Sequence, residues 1–333
     1  MFPSEVTAAF LSHYAYFCED LAPPEFAAAR PRAQGGPGAT WERVSAPLSD
    51  WLLIENDVTD AEAICCRDIA RGIDFVAFRG TESARDALAD LRVTKSRLNC
   101  RRGAWGSSGT TPPSSGNPSP PGAPDCPPAP SPAVDSALFA AARVHTGFMQ
   151  QFGSIAKDVV DYAGASPPCH ALVLTGHSLG GALATLASLY LQLKLPGKEV
   201  RAHVFGSPRA GDASFARLMA SLPFQVTRHE LRNDPVPRLP NRLRWKHCGD
   251  SVVYTRRRRR RGRRQALATS QDRDPPQADS YEHDPGPPDG LFRGCLSIPN
   301  PFRVGAHGID RYVAAVCDSF GTLATSENDL KII

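Results

Sequence analysis

Residues 169–193, CHALVLTGHSLGGALATLASLYLQL, constrain this chain more than any other stretch. A short apolar run of strand length, 169–175, enters a glycine-rich turn and leaves it as a helical run rich in alanine and leucine. A strand that passes so directly into a helix belongs to a βα unit. Such units build mostly parallel sheets covered by helices on both faces. The turn reads Gly176-His177-Ser178-Leu179-Gly180, a G-x-S-x-G pattern. It must be very sharp to lift the Ser178 hydroxyl above the sheet. Gly176 and Gly180 leave room for strand and helix to approach, and the helix N-terminus favours a developing negative charge. The bare pattern would occur by chance in roughly one chain in ten. Its weight comes from the strand before it and the helix after it.

The rest of the chain repeats this alternation. Apolar runs of strand length occupy residues 62–67, 73–79, 199–206 and 224–231, with a weaker one at 251–255. Helical patterns occupy 145–163, 211–221 and 308–320. The expected fold is α/β, with ligands bound at the carboxyl ends of the strands. The first residues, MFPSEVTAAFLSHYAYFCEDLA, interleave apolar positions with Ser4, Glu5, His13 and Tyr14 and have no basic leader. They are expected to form an amphipathic helix packed on the body, not a secretory signal. Cys65 and Cys66 sit in an apolar run and are read as buried thiols.

Proline tells where the body is interrupted. Of 31 prolines, ten lie in residues 101–135 and five in residues 256–290. The first stretch has no apolar periodicity. The second opens on RRRRRRGRR and then turns acidic, holding nine Arg against six acids. Segments of this composition bury too little apolar surface to offset the entropy of ordering. Both are expected to be disordered insertions, and the second carries +3 of the net +4 charge. The remaining 263 residues are nearly neutral, the size of one domain. With 41% hydrophobic residues the chain as a whole is not disordered. No apolar run reaches the roughly 18 residues of a membrane helix. The nine scattered cysteines show no metal-ligand spacing. The Arg run reads first as a solvated insertion, then as a contact for anionic headgroups, and last as a nuclear-localisation or nucleic-acid patch.

Five segments, in order, resemble the fungal-type class 3 lipases of the α/β-hydrolase superfamily. GHSLGGALATLASL resembles their nucleophile elbow, and VAFRGTES (76–83) their oxyanion-loop strand. VHTGF (144–148) resembles the start of the helix before the elbow. VFGSPRAGD (204–212) resembles the strand and turn after it, and RNDPVPRLP (232–240) the segment with the catalytic acid. The resemblance spans about residues 60–317 without the insertions and implies one α/β-hydrolase domain over 1–333.

The resemblance implies roles for particular residues. Ser178 matches the nucleophile, and its hydroxyl needs a base. Asp234 matches the acid that orients the base and stabilises its imidazolium. His307 matches the base, which comes last in this fold's Ser, Asp, His order. Asp212 reads instead as a helix N-cap and Asp250 as a turn residue. His283 lies in the second insertion, His247 reads as structural, and His177 as a support of the turn. The oxyanion donors are expected at Leu179 and Thr81, and Arg79 reads as a structural ion-pair partner. Ser83, Arg85, Leu88 and Leu91 occupy the place of the family's lid helix. That lid has a thin apolar face, so weak interfacial activation is expected.

The expected activity is serine ester hydrolysis of acylglycerols or polar glycerolipids, through an acyl-enzyme, without metal or cofactor. A soluble carboxylesterase and a silent hydrolase-fold protein that binds lipid or a partner are the alternatives. The expected partner is the lipid or ester substrate, with peripheral contact to a lipid surface, and nucleic-acid binding is not expected. The apparent lack of a signal points to the cytoplasm; secretion follows if the given start is incomplete. Cys18 and Cys317 lie on the expected N-terminal and C-terminal helices, the ends that secreted relatives staple with a disulfide; the resemblance implies such a pairing only in an oxidising compartment, against which the lack of a signal argues.

Overall fold

A computed structural model describes residues 4–16, 48–80, 94–98, 134–256, 281–284 and 307–320. Eight strands form one sheet in the order β1 (Leu48–Asn56), β2 (Ala61–Asp68), β3 (Ile73–Phe78), β6 (Ala171–His177), β7 (Val200–Phe205), β8 (Gln225–Leu231), β9 (Asp250–Arg256) and β10 (Tyr281–Asp284). The five from β3 to β9 run parallel. Antiparallel neighbours border them, β2 and β1 on one side and β10 on the other. A two-stranded ribbon, β4 (Lys95–Arg97) with β5 (Arg143–His145), stands apart from the sheet.

The alternation of side chains along each central strand separates two cores. Leu172 and Leu174 face one side with Val76, Phe78 and Val204, while Val173 faces the other with Phe75, Ala77 and Phe205. The first core is closed by α3 (Thr146–Gly164) and α4 (Leu179–Lys194). Helix α3 buries Phe148, Phe152, Ile155, Ala156, Val159, Tyr162 and Ala163, an i, i+4, i+7 stripe. Helix α4 is buried nearly all round, which suits its almost uninterrupted Ala/Leu sequence. The shorter helices α2 (Ser136–Ala141) and α5 (Ala213–Ala220) pack on each other. The second core is closed by α1 (Ser4–Tyr14) and α6 (Ile309–Ser319), which also touch each other. The first residues therefore do pack on the body as a helix.

The central strands and helices α1, α3, α4, α5 and α6 lie where periodicity places them, while α2 falls outside the helical patterns of the sequence. Four strands escape periodicity. β1 is half-exposed and mixes a short apolar run, 51–54, with polar ends, β4 and β5 are only three residues each, and β10 lies in an acidic, proline-rich stretch. The last corrects the expectation for residues 256–290. Arg256 ends β9, and residues 281–284 pair with it along the sheet edge. Asp250 likewise is not a turn residue: it begins β9 opposite Thr227. Of the proline-rich stretch 101–135, only 134–135 are described, and Asp135 caps α2.

Candidate active site

Ser178 stands between β6 and α4 at φ 56° and ψ −123°, a region that a residue with a Cβ enters only under constraint. The constraint is close packing. A Cβ on Gly180 would lie 2.1 Å from the Phe78 carbonyl oxygen, and one on Gly176 would lie 2.4 Å from the Gly180 carbonyl. The first turn of α4 is thereby pressed onto β3 and β6. Ser178 N–H donates to the Phe205 carbonyl at 2.9 Å, tying the turn to β7. Leu179 opens α4, so its N–H is among the first-turn donors that an intrahelical acceptor cannot reach.

Asp234 follows β8. Its Oδ1 accepts Val236 N–H at 2.8 Å, and its Oδ2 accepts His307 Nδ1–H at 2.7 Å. Tyr312, one turn into α6, donates its hydroxyl to the same Oδ2 at 2.5 Å, and its oxygen accepts Leu231 N–H at 3.3 Å. Asp234 and His307 are 2% and 3% exposed, so their pairing lies in a medium that strengthens it. The hydrogen bond to Asp234 assigns the proton on Nδ1 and leaves His307 Nε2 as the acceptor. That Nε2 and the Ser178 Oγ are both buried, and neither has a hydrogen-bond partner among the described residues.

His177 connects the two halves. Its ring lies 4.4 Å from the His307 ring, centroid to centroid. Its Nε2–H donates to the His307 carbonyl at 2.7 Å, and its Nδ1 accepts the Tyr16 hydroxyl at 2.7 Å. Burial, and then the neighbouring His307, hold its pKa well below the usual histidine value, so it is a neutral support rather than a base.

Other candidates take structural places. Asp212 caps α5 through Ser214 and Phe215 N–H. His247 Nε2–H donates to the Pro237 carbonyl at 2.6 Å, holding the loop after Asp234. Arg79 pairs with Glu62 at 2.5 Å. Thr81 and the lid positions Ser83, Arg85, Leu88 and Leu91 lie outside the described residues, as do Cys18 and the Arg run beyond Arg256. Nothing in the sequence pattern singles out Gly206, Tyr312 or Tyr16. Gly206 has φ 58°, and a Cβ there would lie 3.0 Å from both Asp234 Oδ2 and His307 Cε1. The only sequence signal for it was its place in VFGSP.

Residues 75–244, just over half of the chain, match the family described as Lipase (class 3). The chain belongs to the class 3 lipase family. Among relatives, it is 39% identical over 106 residues to secreted mono- and diacylglycerol lipase 1 of Fusarium solani, covering 31% of each chain. It is 27% identical over 232 residues to a lipase of Rhizomucor miehei, covering 66% of this chain and 53% of that one. This class 3 lipase chain thus spans about half or less of the length of these relatives. The solved Rhizomucor miehei lipase propeptide complex superposes with a TM-score of 0.54 at 21% identity, over 76% of this chain and 67% of that one. That likeness establishes the α/β-hydrolase fold.

Proposed function

We propose that the protein is a serine ester hydrolase of acylglycerols or polar glycerolipids, with Ser178, His307 and Asp234 as its catalytic triad. One observation carries the reading: the buried Asp234–His307 pair, whose His307 contacts His177 next to a strained Ser178, with neither Ser178 Oγ nor His307 Nε2 partnered among the described residues. In the reaction, Ser178 Oγ attacks the acyl carbonyl carbon while His307 Nε2 takes its proton. Asp234 holds the ring and stabilises the imidazolium. Leu179 N–H and Thr81 hold the oxyanion. Collapse of the tetrahedral intermediate expels the alcohol, which takes the proton from His307. Water, deprotonated by His307, then attacks the acyl-enzyme and releases the carboxylic acid, restoring Ser178.

Membership of the class 3 lipases supports this chemistry, and the mono- and diacylglycerol named for the Fusarium solani relative supports the substrate class. Its description as secreted also favours an oxidising compartment for this chain. No helix among the described residues is long and apolar enough to cross a membrane. The decisive experiment is labelling by a fluorophosphonate probe together with turnover of tri-, di- and monoacylglycerols, phospholipids and galactolipids. The expected result is labelling and hydrolysis that disappear in Ser178→Ala, with a loss of about 10⁶-fold in kcat. A folded chain that neither labels nor hydrolyses any of these esters would rule the reading out.

A further inference from the structure

The ribbon β4–β5 and the turn 241–246 form a surface that this chemistry does not use. The ribbon sets Lys95 opposite His145 and Arg97 opposite Arg143. Gly211 bridges Val144 of β5 to Lys246. Lys95 fastens the turn to the ribbon: its Nζ donates to the Arg244 carbonyl at 2.6 Å and stands 4.8 Å above the Trp245 ring. Lys95, Arg97, Arg242, Arg244 and Lys246 are all exposed. None of the five makes an ion pair among the described residues.

Among the described residues, local carboxylates do not answer these charges. Residues 235–249 hold four cations and no acid. Asp212 is engaged with the N–H groups of Arg143, Ser214 and Phe215, and Asp135 with those of Ala137 and Leu138. Arg143 is accounted for, since it donates to the carbonyls of Ala140, Ala141 and Ala142 at the end of α2. Among the described residues, five like charges therefore share this surface without a carboxylate partner, a field that favours an approaching anion. Between two of them, Leu243 projects with 86% of its surface exposed.

An apolar tip flanked by cations matches the layered chemistry of an anionic lipid surface, phosphate outside and acyl boundary beneath. A single-stranded nucleic acid would use the charges but would look for an exposed aromatic ring to stack on. Here Trp245 is fully buried. We propose that the β4–β5 ribbon and the 241–246 turn dock the protein on lipid surfaces that carry anionic headgroups. Helix α3 leaves β5 and runs back towards the start of β6, and β5 is held to Ala210, just past the end of β7, by His145 N–H at 2.9 Å. The ribbon thus lies at the carboxyl ends of the strands, the end that carries Ser178, and docking there turns the site towards the lipid. The choice of lipid as the anion rests on the hydrolase reading; the charge cluster itself does not.

The test is binding of the full chain carrying Ser178→Ala, so that no lipid is consumed. It is mixed with vesicles of phosphatidylcholine alone or of phosphatidylcholine with phosphatidylglycerol, at low and high salt. The expected result is binding to the anionic vesicles that weakens with salt. Adding Arg242→Gln, Arg244→Gln and Lys246→Gln should lower the partition coefficient about 100-fold. Arg242→Lys with Arg244→Lys should retain binding, since the point charge is what matters. Leu243→Ser should lose a few-fold at either salt. Should the triple variant fail to hold its near-ultraviolet circular dichroism, the lysine and serine variants carry the test. Equal binding by the triple variant and its parent would overturn the proposal. So would loss of binding only when residues 257–264 are replaced, or binding to a single-stranded oligonucleotide in preference to the vesicles. Because the readout is binding, a chain that docks without hydrolysing esters fails only the hydrolase reading.

Discussion

Tyr312 places its hydroxyl between the Asp234 carboxylate and the Leu231 N–H. Tyr312→Phe leaves both short of a partner without changing the ring. A hydrogen bond to a charged group is worth about 1.5–3 kcal/mol. Expressed in the transition state, that is about 10- to 100-fold in kcat with little change in KM. Steady-state kinetics on a soluble ester checks it, and an unchanged kcat would remove Tyr312 from the positioning of Asp234. Gly206→Ala probes the same pair from the other side. Its new methyl enters at φ 58° against Asp234 and His307, so we expect kcat to fall by at least as much, with a lower Tm. Gly206 looks like any glycine in a loop sequence. Only the folding of α6 across β8 makes its missing Cβ a condition of the Asp234–His307 contact.

Between elements, the far end of the sheet holds a different polar group. Asp74, wholly buried at the start of β3, meets Lys198 Nζ at 3.0 Å and Arg67 Nε at 3.3 Å. Lys198 also donates to Ser166 Oγ at 2.7 Å and to the Pro167 carbonyl at 3.0 Å. This cluster joins β3 to the segments that follow α3 and precede β7, at the ends of the strands opposite Ser178. Lys198→Met should lower stability by about 3 kcal/mol, because it leaves a buried carboxylate under-compensated. Urea denaturation measures that loss, while kcat for a soluble ester should stay within about twofold, since distant sites act independently. A large fall in kcat with unchanged stability would contradict this division between the two ends. Nothing in the sequence joins Asp74 to Lys198, because 124 residues separate them.

For the molecule as a whole, pH acts through its buried histidines. His177, His203, His229 and His247 all have pKa values lowered from the usual 6.5, chiefly by burial. His177 is pushed further by His307, His229 by His203, and His247 by Arg228 and Arg209. Below pH 6.5 the unfolded chain binds protons that the folded chain refuses. Their contribution is therefore complete above pH 6.5 and is lost progressively as pH falls below it. Each such histidine changes stability by up to about 1.4 kcal/mol per pH unit in that window. Tm should be clearly lower at pH 5.5 than at pH 7.5, and equal values would refute the account. The chain between Leu98 and Val134 is a second test at this scale. Both residues pack on the same core, so replacing 101–133 by a short Gly/Ser linker should keep the fold. Shortening this connection should raise stability by about 1 kcal/mol or less.

Periodicity and composition by themselves determined the parallel centre of the sheet, its covering helices and the place of the strand–turn–helix at Ser178. Each of these follows from neighbours along the chain, where side-chain spacing decides which face is buried. The half-exposed β1, the three-residue β4 and β5, and β10 within an acidic stretch carry no such period. They exist because the sheet edge or the adjoining loop supplies their hydrogen-bond partners. The candidate nucleophile was legible because a glycine-rich turn must be written locally. His307 was singled out by resemblance and chain order, and its placement beside Asp234, across 73 residues, is a property of the fold. The same holds for the Tyr16–His177–His307 contacts, the Gly206 clearance and the basic ribbon around Leu243. All of them join residues distant in sequence, and only tertiary packing sets such distances.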